Sequence, residues 1–142
     1  MTGAILDTNL FVSLANKKDQ DHKRAVQVFE RIRKGEFGQP YTSDYIFDEA
    51  LTVTLIRTGR VDSAVKVGKL ILGSREEAIP ALARLIRVDE RIFSESWRVF
   101  QSGKLKELSF TDHTILSLIK EYRLDYLISF DRGFDGLVAR IG

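Results

Sequence analysis

The chain has 142 residues, 44% of them hydrophobic and 30% charged, the size and mix of one compact domain, so residues 1–142 are read as a single domain. It contains no cysteine, which excludes disulfides, thiolate nucleophiles and zinc–thiolate sites and fits a reducing compartment. A net charge of +2 and a pI near 8.9 permit a nucleic-acid substrate without the strongly basic footprint of a DNA-coating protein. No apolar run approaches the roughly 18 residues of a membrane span, and no signal-peptide pattern is seen. A cytoplasmic protein with no membrane partner is expected.

Residues 3–6 read as a buried strand and residues 8–16 as a short helix. Asp19 or Asp21 can cap the next helix, whose apolar face carries Ala25, Val28, Phe29 and Ile32, and Gly35 and Gly38 end it. Residues 39–42, "QPYT", form a short strand candidate with Pro40 at its start. A third helix, with Ile46, Ala50, Leu51 and Val53, runs to about Gly59. A fourth places Val61, Ala64, Val65, Gly68, Ile71 and Leu72 in register and closes at Gly73. Pro80 breaks any longer helix, and a strand is expected near 84–88. Asp89 can cap a helix bearing Ile92, Phe93, Trp97 and Phe100, aromatic residues that read as core from their helical spacing. Another helix starts near Ser109 and carries Ile115, Ile119 and Tyr122. "YLISF", 126–130, is the clearest strand, and "LVARI" reads as the last.

Strands alternating with helices predict an α/β three-layer sandwich around a mostly parallel sheet. Such sheets bind ligands beyond the carboxyl ends of their strands. Asp7 follows the first strand and Asp131 follows "LISF", so two acids are aimed at one sheet edge.

Four carboxylates stand beside apolar segments: Asp7 in "ILDTN", Glu49 in "YIFDEAL", Asp112 in "LSFTDHTIL" and Asp131 in "ISFDRGF". Each has a simpler reading. Asp7 can N-cap the following helix, a bond of about 1 kcal/mol. Asp112 stands three residues after Ser109, the capping-box spacing. Asp131 can cap a turn. Capping cannot explain Glu49, which is mid-helix on the side of Ile46, Ala50 and Val53, whereas Asp48 points to solvent. A carboxylate bordering the core must be protonated, paired or ligated. Converging carboxylates repel and raise one another's pKa, and a hard divalent ion such as Mg²⁺ or Mn²⁺ relieves that repulsion. His22 and His113 lack zinc-type spacing. No phosphate-binding glycine loop argues for a nucleotide cofactor.

These four motifs resemble those of PIN domains, with the nearest resemblance to the VapC-type toxin ribonucleases, and the similarity spans essentially the whole chain. The resemblance implies a parallel sheet with its first strand central and an endoribonuclease dependent on Mg²⁺, with Mn²⁺ an alternative. It also implies RNA as substrate, a small antitoxin partner of the VapB kind seated in a groove, and a homodimer. By the same resemblance Asp7, Asp112 and Asp131 bind the metal, Asp7 and Asp112 most strongly, and Glu49 completes the catalytic set. Thr8 and Asn9 match the small polar residues that order the site, and Ser129 matches a hydroxyl position two residues before the last acid. His113 departs from the pattern, standing where a small residue is commoner. Arg57 and Arg132 are weighed as contacts to the RNA backbone against plain surface charge. Two alternatives stay open: a catalytically inactive PIN-like module that binds nucleic acid or protein, and a haloacid-dehalogenase-like phosphotransfer domain. The latter expects a second acid where Asn9 stands.

Overall fold

The computed structural model describes residues 3–142. Five strands, β1 (Gly3–Leu6), β2 (Gln39–Ser43), β3 (Arg84–Ile86), β4 (Tyr126–Ile128) and β5 (Arg140–Ile141), form one sheet in the order β3-β2-β1-β4-β5. Every pairing is parallel. The helices are α1 (Thr8–Ala15), α2 (His22–Arg33), α3 (Asp44–Thr58), α4 (Val61–Leu72), α5 (Glu90–Gln101) and α6 (Phe110–Tyr122). The α/β sandwich expected from the alternating pattern is therefore present, and β1 is central.

Continuous apolar runs suit strands covered on both faces. Ala4, Ile5 and Leu6 of β1 are fully buried, as are Leu127 and Ile128 of β4. Pro40 is tolerated in β2 because β3 pairs only with Tyr41, Thr42 and Ser43. At Pro40 the side toward β3 is unpaired, and the missing N–H costs no ladder bond there. The final strand is shorter than "LVARI": only Arg140 and Ile141 pair with β4, opposite Leu127 and Ile128.

Side chains before the helices fix where they begin. Ser43 Oγ accepts from Ile46 N at 3.1 Å and opens α3, and Asp89 Oδ1 accepts from Ile92 N at 2.9 Å and opens α5. Ser109 and Asp112 form a reciprocal capping box at the start of α6. Asp21 occupies the N-cap position of α2 without a side-chain cap bond. Asp19 instead accepts from the Asp21 N–H at 2.8 Å and from the Ser13 hydroxyl at 3.2 Å. Gly59, at φ 67°, ends α3 in the left-handed conformation.

Of two apolar helix faces, that of α4 is divided between core and surface, and the core reading of the α5 aromatics is corrected. On α4 the buried residues are Ala64, Val67, Gly68 and Ile71, while Val61, Val65 and Leu72 are exposed. On α5 only Ile92 and Ser96 are buried, whereas Phe93, Trp97 and Phe100 remain 45%, 49% and 41% exposed. The spacing that read as core is real, but α5 packs chiefly on α6, and that contact uses the Ile92–Ser96 side, where Ser96 Oγ donates to the Ile92 carbonyl at 2.7 Å and shares a 3.1 Å hydrogen bond with Ser117 Oγ. Among the described residues no helix is long and apolar enough to cross a membrane.

Candidate active site

The site begins where two strands end side by side. Leu6 pairs with Ile128, and the Asp7 N–H donates to the Ile128 carbonyl at 3.0 Å. Parallel pairing thus delivers Asp7 and the Ser129–Asp131 segment to one edge. Thr42 Oγ1 donates to the Leu6 carbonyl at 3.3 Å, so β2 releases α3 beside the same edge, and Glu49 lies in the second turn of that helix. Asp112 arrives from the first turn of α6.

Asp7 is buried, with both carboxylate oxygens engaged. Oδ1 accepts from the Thr8 N–H at 2.7 Å and Oδ2 from the Ser129 hydroxyl at 2.7 Å. Ser129 Oγ in turn accepts from Asn9 Nδ2 at 3.3 Å and from the Asp131 N–H at 3.1 Å. One donor and two acceptor sites are all used, the full capacity of a hydroxyl. Asn9 Oδ1 accepts from the Phe130 N–H at 3.2 Å. Thr8, Asn9 and Ser129 therefore lock the first acid to the segment that carries the fourth.

Burial is the main cause that pushes the Asp7 carboxyl up to about 7, and the neighbouring Asp112 and Glu49 carboxylates add to it. The Ser129 and Thr8 hydrogen bonds oppose the rise. Glu49, half-buried, is raised first by desolvation and then by Asp112, while the Thr8 and Thr111 hydroxyls beside it favour its charged form. Asp112 is raised by desolvation and by Asp131, against the Ser109 bonds that favour the anion. The four acids thus form a chain of mutually repelling neighbours. Asp131 is the exposed member, its Oδ1 accepting from the Gly133 N–H at 2.8 Å.

Capping and acid chemistry coincide here. Asp7, Asp112 and Asp131 each cap a turn or helix, as the simpler readings held, and the charge of Asp112 acts on Asp7 and that of Asp131 on Asp112. Like charges keep apart, and Asp112 and Asp131 are turned to backbone N–H groups. Among the described residues no group of three or more histidine, aspartate or glutamate side chains is gathered closely enough to hold an ion. The donor chemistry nonetheless fits a hard divalent cation. It is all oxygen and anionic, and the buried Thr8 Oγ1 beside it meets no partner at hydrogen-bond geometry, although it lies near Glu49.

Other residues fall outside this cluster. Arg57, two turns beyond Glu49 on α3, pairs with Asp19 at 3.7 Å, whereas Arg132 is exposed directly after Asp131. His113 is buried, its Nδ1–H donating to the Ser109 carbonyl at 2.8 Å and its ring lying edge-on to Phe100, which makes it a packing residue. Asp48 is exposed, as its helix position requires. Thr111 was not singled out in the sequence. Its only signal there is a hydroxyl one residue before the third acid.

A parallel α/β sheet with Asp7 and Asp131 following its two adjacent central strands defines a class. Residues 4–138 match the PIN domain, and the chain belongs to that family. It is 26% identical over 132 residues to a VapC ribonuclease of Archaeoglobus fulgidus, covering 92% of this chain and 78% of the relative. Its fold is similar to a Mycobacterium tuberculosis VapC toxin that cleaves the sarcin–ricin loop, with a TM-score of 0.75, 21% identity and 92% of each chain covered. It is also similar to a chain of a toxin–antitoxin complex from Klebsiella pneumoniae, with a TM-score of 0.64, 18% identity and 98% of this chain and 96% of that one covered.

Proposed function

We propose that this protein is an endoribonuclease of the VapC toxin type that hydrolyses RNA phosphodiester bonds with Mg²⁺ or Mn²⁺. The observation that carries the reading is that Asp7 is joined through Ser129 to the backbone of Asp131, with Glu49 on α3 and Asp112 at the start of α6 as further acids from distant segments. Asp7, Asp112 and Asp131 would hold the ion, and Glu49 would complete the catalytic group. A bound divalent ion supplies an acidified water and neutralises charge that builds on the phosphate. The chain's own residues do the positioning. Ser129 and the Thr8 N–H orient Asp7, Asn9 ties Asp7's helix to the Phe130 backbone, and the capping box fixes the angle at which Asp112 enters.

The named VapC and toxin–antitoxin relatives support a small antitoxin as partner. An apolar cleft of about 910 Å³, lined by residues that include Phe29, Ile32, Leu70 and Ile79, offers such a partner a surface away from the acids. The exposed Ile56, Val61 and Leu72 support a homodimer.

The test is incubation of the purified chain, stripped of any accompanying protein, with mixed RNA and Mn²⁺, with and without chelator. Chelator-sensitive cleavage that disappears in Asp112→Asn is expected. Its absence from the stripped protein would favour a non-catalytic binding module.

A further inference from the structure

The mechanism above leaves the aromatic surface of α5 unused. Phe93, Trp97 and Phe100 are each more than 40% exposed. Large rings so exposed, and contiguous, are unusual outside functional surfaces. They are joined through Phe110, whose ring lies 5.4 Å from Phe93, 5.9 Å from Phe100 and 6.3 Å from Tyr45. Trp97 stacks on Phe100 at 6.2 Å with their planes 19° apart.

This surface is continuous with the acids. Phe110 opens α6 two residues before Asp112, and Tyr45 stands one turn before Glu49 on α3, on the same helix face. The loop after α5 adds charge of the right sign. Lys104 and Lys106 are exposed, and neither makes an ion pair with any described residue. Flat rings beside lysines free to meet phosphates are how proteins hold single-stranded nucleic acid. The exposed aliphatic residues lie on other elements: Val26 on α2, Leu55, Ile56, Val61, Val65 and Leu72 on α3 and α4, and Ile79 and Leu137 in loops. The α5 surface is thus distinguished by ring faces.

We propose that Phe93, Trp97 and Phe100 form a base-stacking subsite that holds unpaired nucleobases of the RNA substrate next to the scissile phosphate. The subsite rests on the ribonuclease reading above. Trp97 orients the strand through a base. Lys104 and Lys106 meet the backbone. The substrate segment is therefore single-stranded on the α5 side of the acids.

Trp97 is the only tryptophan in the chain, so its emission reports the contact directly. The full chain is titrated with a single-stranded RNA oligonucleotide in the presence of chelator, so that nothing is cut. An abasic oligonucleotide of equal charge and a perfect RNA duplex are the comparisons. Base-dependent quenching by the single strand is expected, with little from the other two. Anisotropy of a labelled strand should show Trp97→Ala weakening binding about tenfold, while Trp97→Phe retains most of it. Equal quenching by the abasic strand, or unchanged affinity in Trp97→Ala, overturns the proposal. So does a change from dimer to monomer in Trp97→Ala with RNA affinity intact, which would make the patch an interface between copies. The two readings fail separately. Cleavage by the metal-loaded protein without base-dependent quenching sinks the subsite alone. Base-dependent quenching without chelator-sensitive cleavage sinks the nuclease alone.

Discussion

Ser129 Oγ donates a 2.7 Å hydrogen bond to Asp7 Oδ2 across 122 positions of sequence. This bond joins the first acid to the segment bearing the last, and it makes the Ser129 hydroxyl a positioning group for the whole cluster. Ser129→Ala should leave Asp7 without its main opposing hydrogen bond and leave the Asp131 N–H and Asn9 Nδ2 without an acceptor. A loss of about 1–3 kcal/mol in denaturant unfolding is expected, together with a roughly 10- to 100-fold loss of Mn²⁺ affinity. Calorimetric titration checks the second number. Unchanged affinity would detach Ser129 from the site.

Asp7→Asn should abolish metal-dependent cleavage and yet fold. The substitution removes a buried charge and its repulsion with Asp112 and Glu49, while the amide oxygen can still accept from Thr8 or Ser129. Thermal unfolding of the metal-free variant is expected to match or exceed that of the parent. A variant that melts well below the parent would mean that the carboxylate has a structural role that an amide cannot supply.

The raised carboxyl of Asp7 fixes the sign of a pH effect. Its value is about 7 in the folded chain against 3.8 for the unperturbed group. The folded state therefore binds more protons than the unfolded state between those values, and stability falls as pH rises through that interval. Metal-free protein should accordingly be less stable at pH 7 than at pH 5, with Glu49 and Asp112 contributing in the same direction. Metal requires the anion, so stabilisation by Mn²⁺ should grow from pH 6 to pH 8. Melting curves at each pH, with and without Mn²⁺, measure both slopes. A flat difference across this range would contradict the assignment of Asp7 as a ligand.

Asp44 links α3 to the segment that precedes the aromatic helix. Its Oδ1 accepts from the Tyr45 N–H at 3.1 Å and from the Val88 N–H at 2.9 Å, tying the loop before α5 to the start of α3. Asp44→Ala should cost about 1–3 kcal/mol and alter the emission of Trp97, which lies further along α5. Unfolding followed by both circular dichroism and fluorescence reads the two effects together. An unshifted emission spectrum would show that α5 is placed by its packing on α6 alone.

The elements were legible in the sequence wherever the pattern was local. Ala4–Leu6 reads as a buried strand because an unbroken apolar run suits a sheet covered on both faces. Gly59 and Gly73 mark helix ends because each adopts a positive φ. The acids were legible as candidates because Glu49 has no local reason to stand where it does. Helix faces were less legible. On α5 a stripe of Phe93, Trp97 and Phe100 at helical spacing looks the same whether it meets a core or solvent. Which side faces inward depends on where α6 lies, a fact carried by no residue of α5 itself.

Local chemistry along the chain determined the alternating α/β order, the positions of the caps and the four acidic segments, because capping, propensity and periodicity act over a few residues. Only the tertiary structure decided that Asp7 and Asp131 meet through Ser129, that Asp7 is buried enough to be pushed to about 7, and that α5 turns its rings outward. Those outcomes depend on strand order and on the packing of α5 against α6, contacts between segments far apart in the chain, and desolvation is a property of everything around a group.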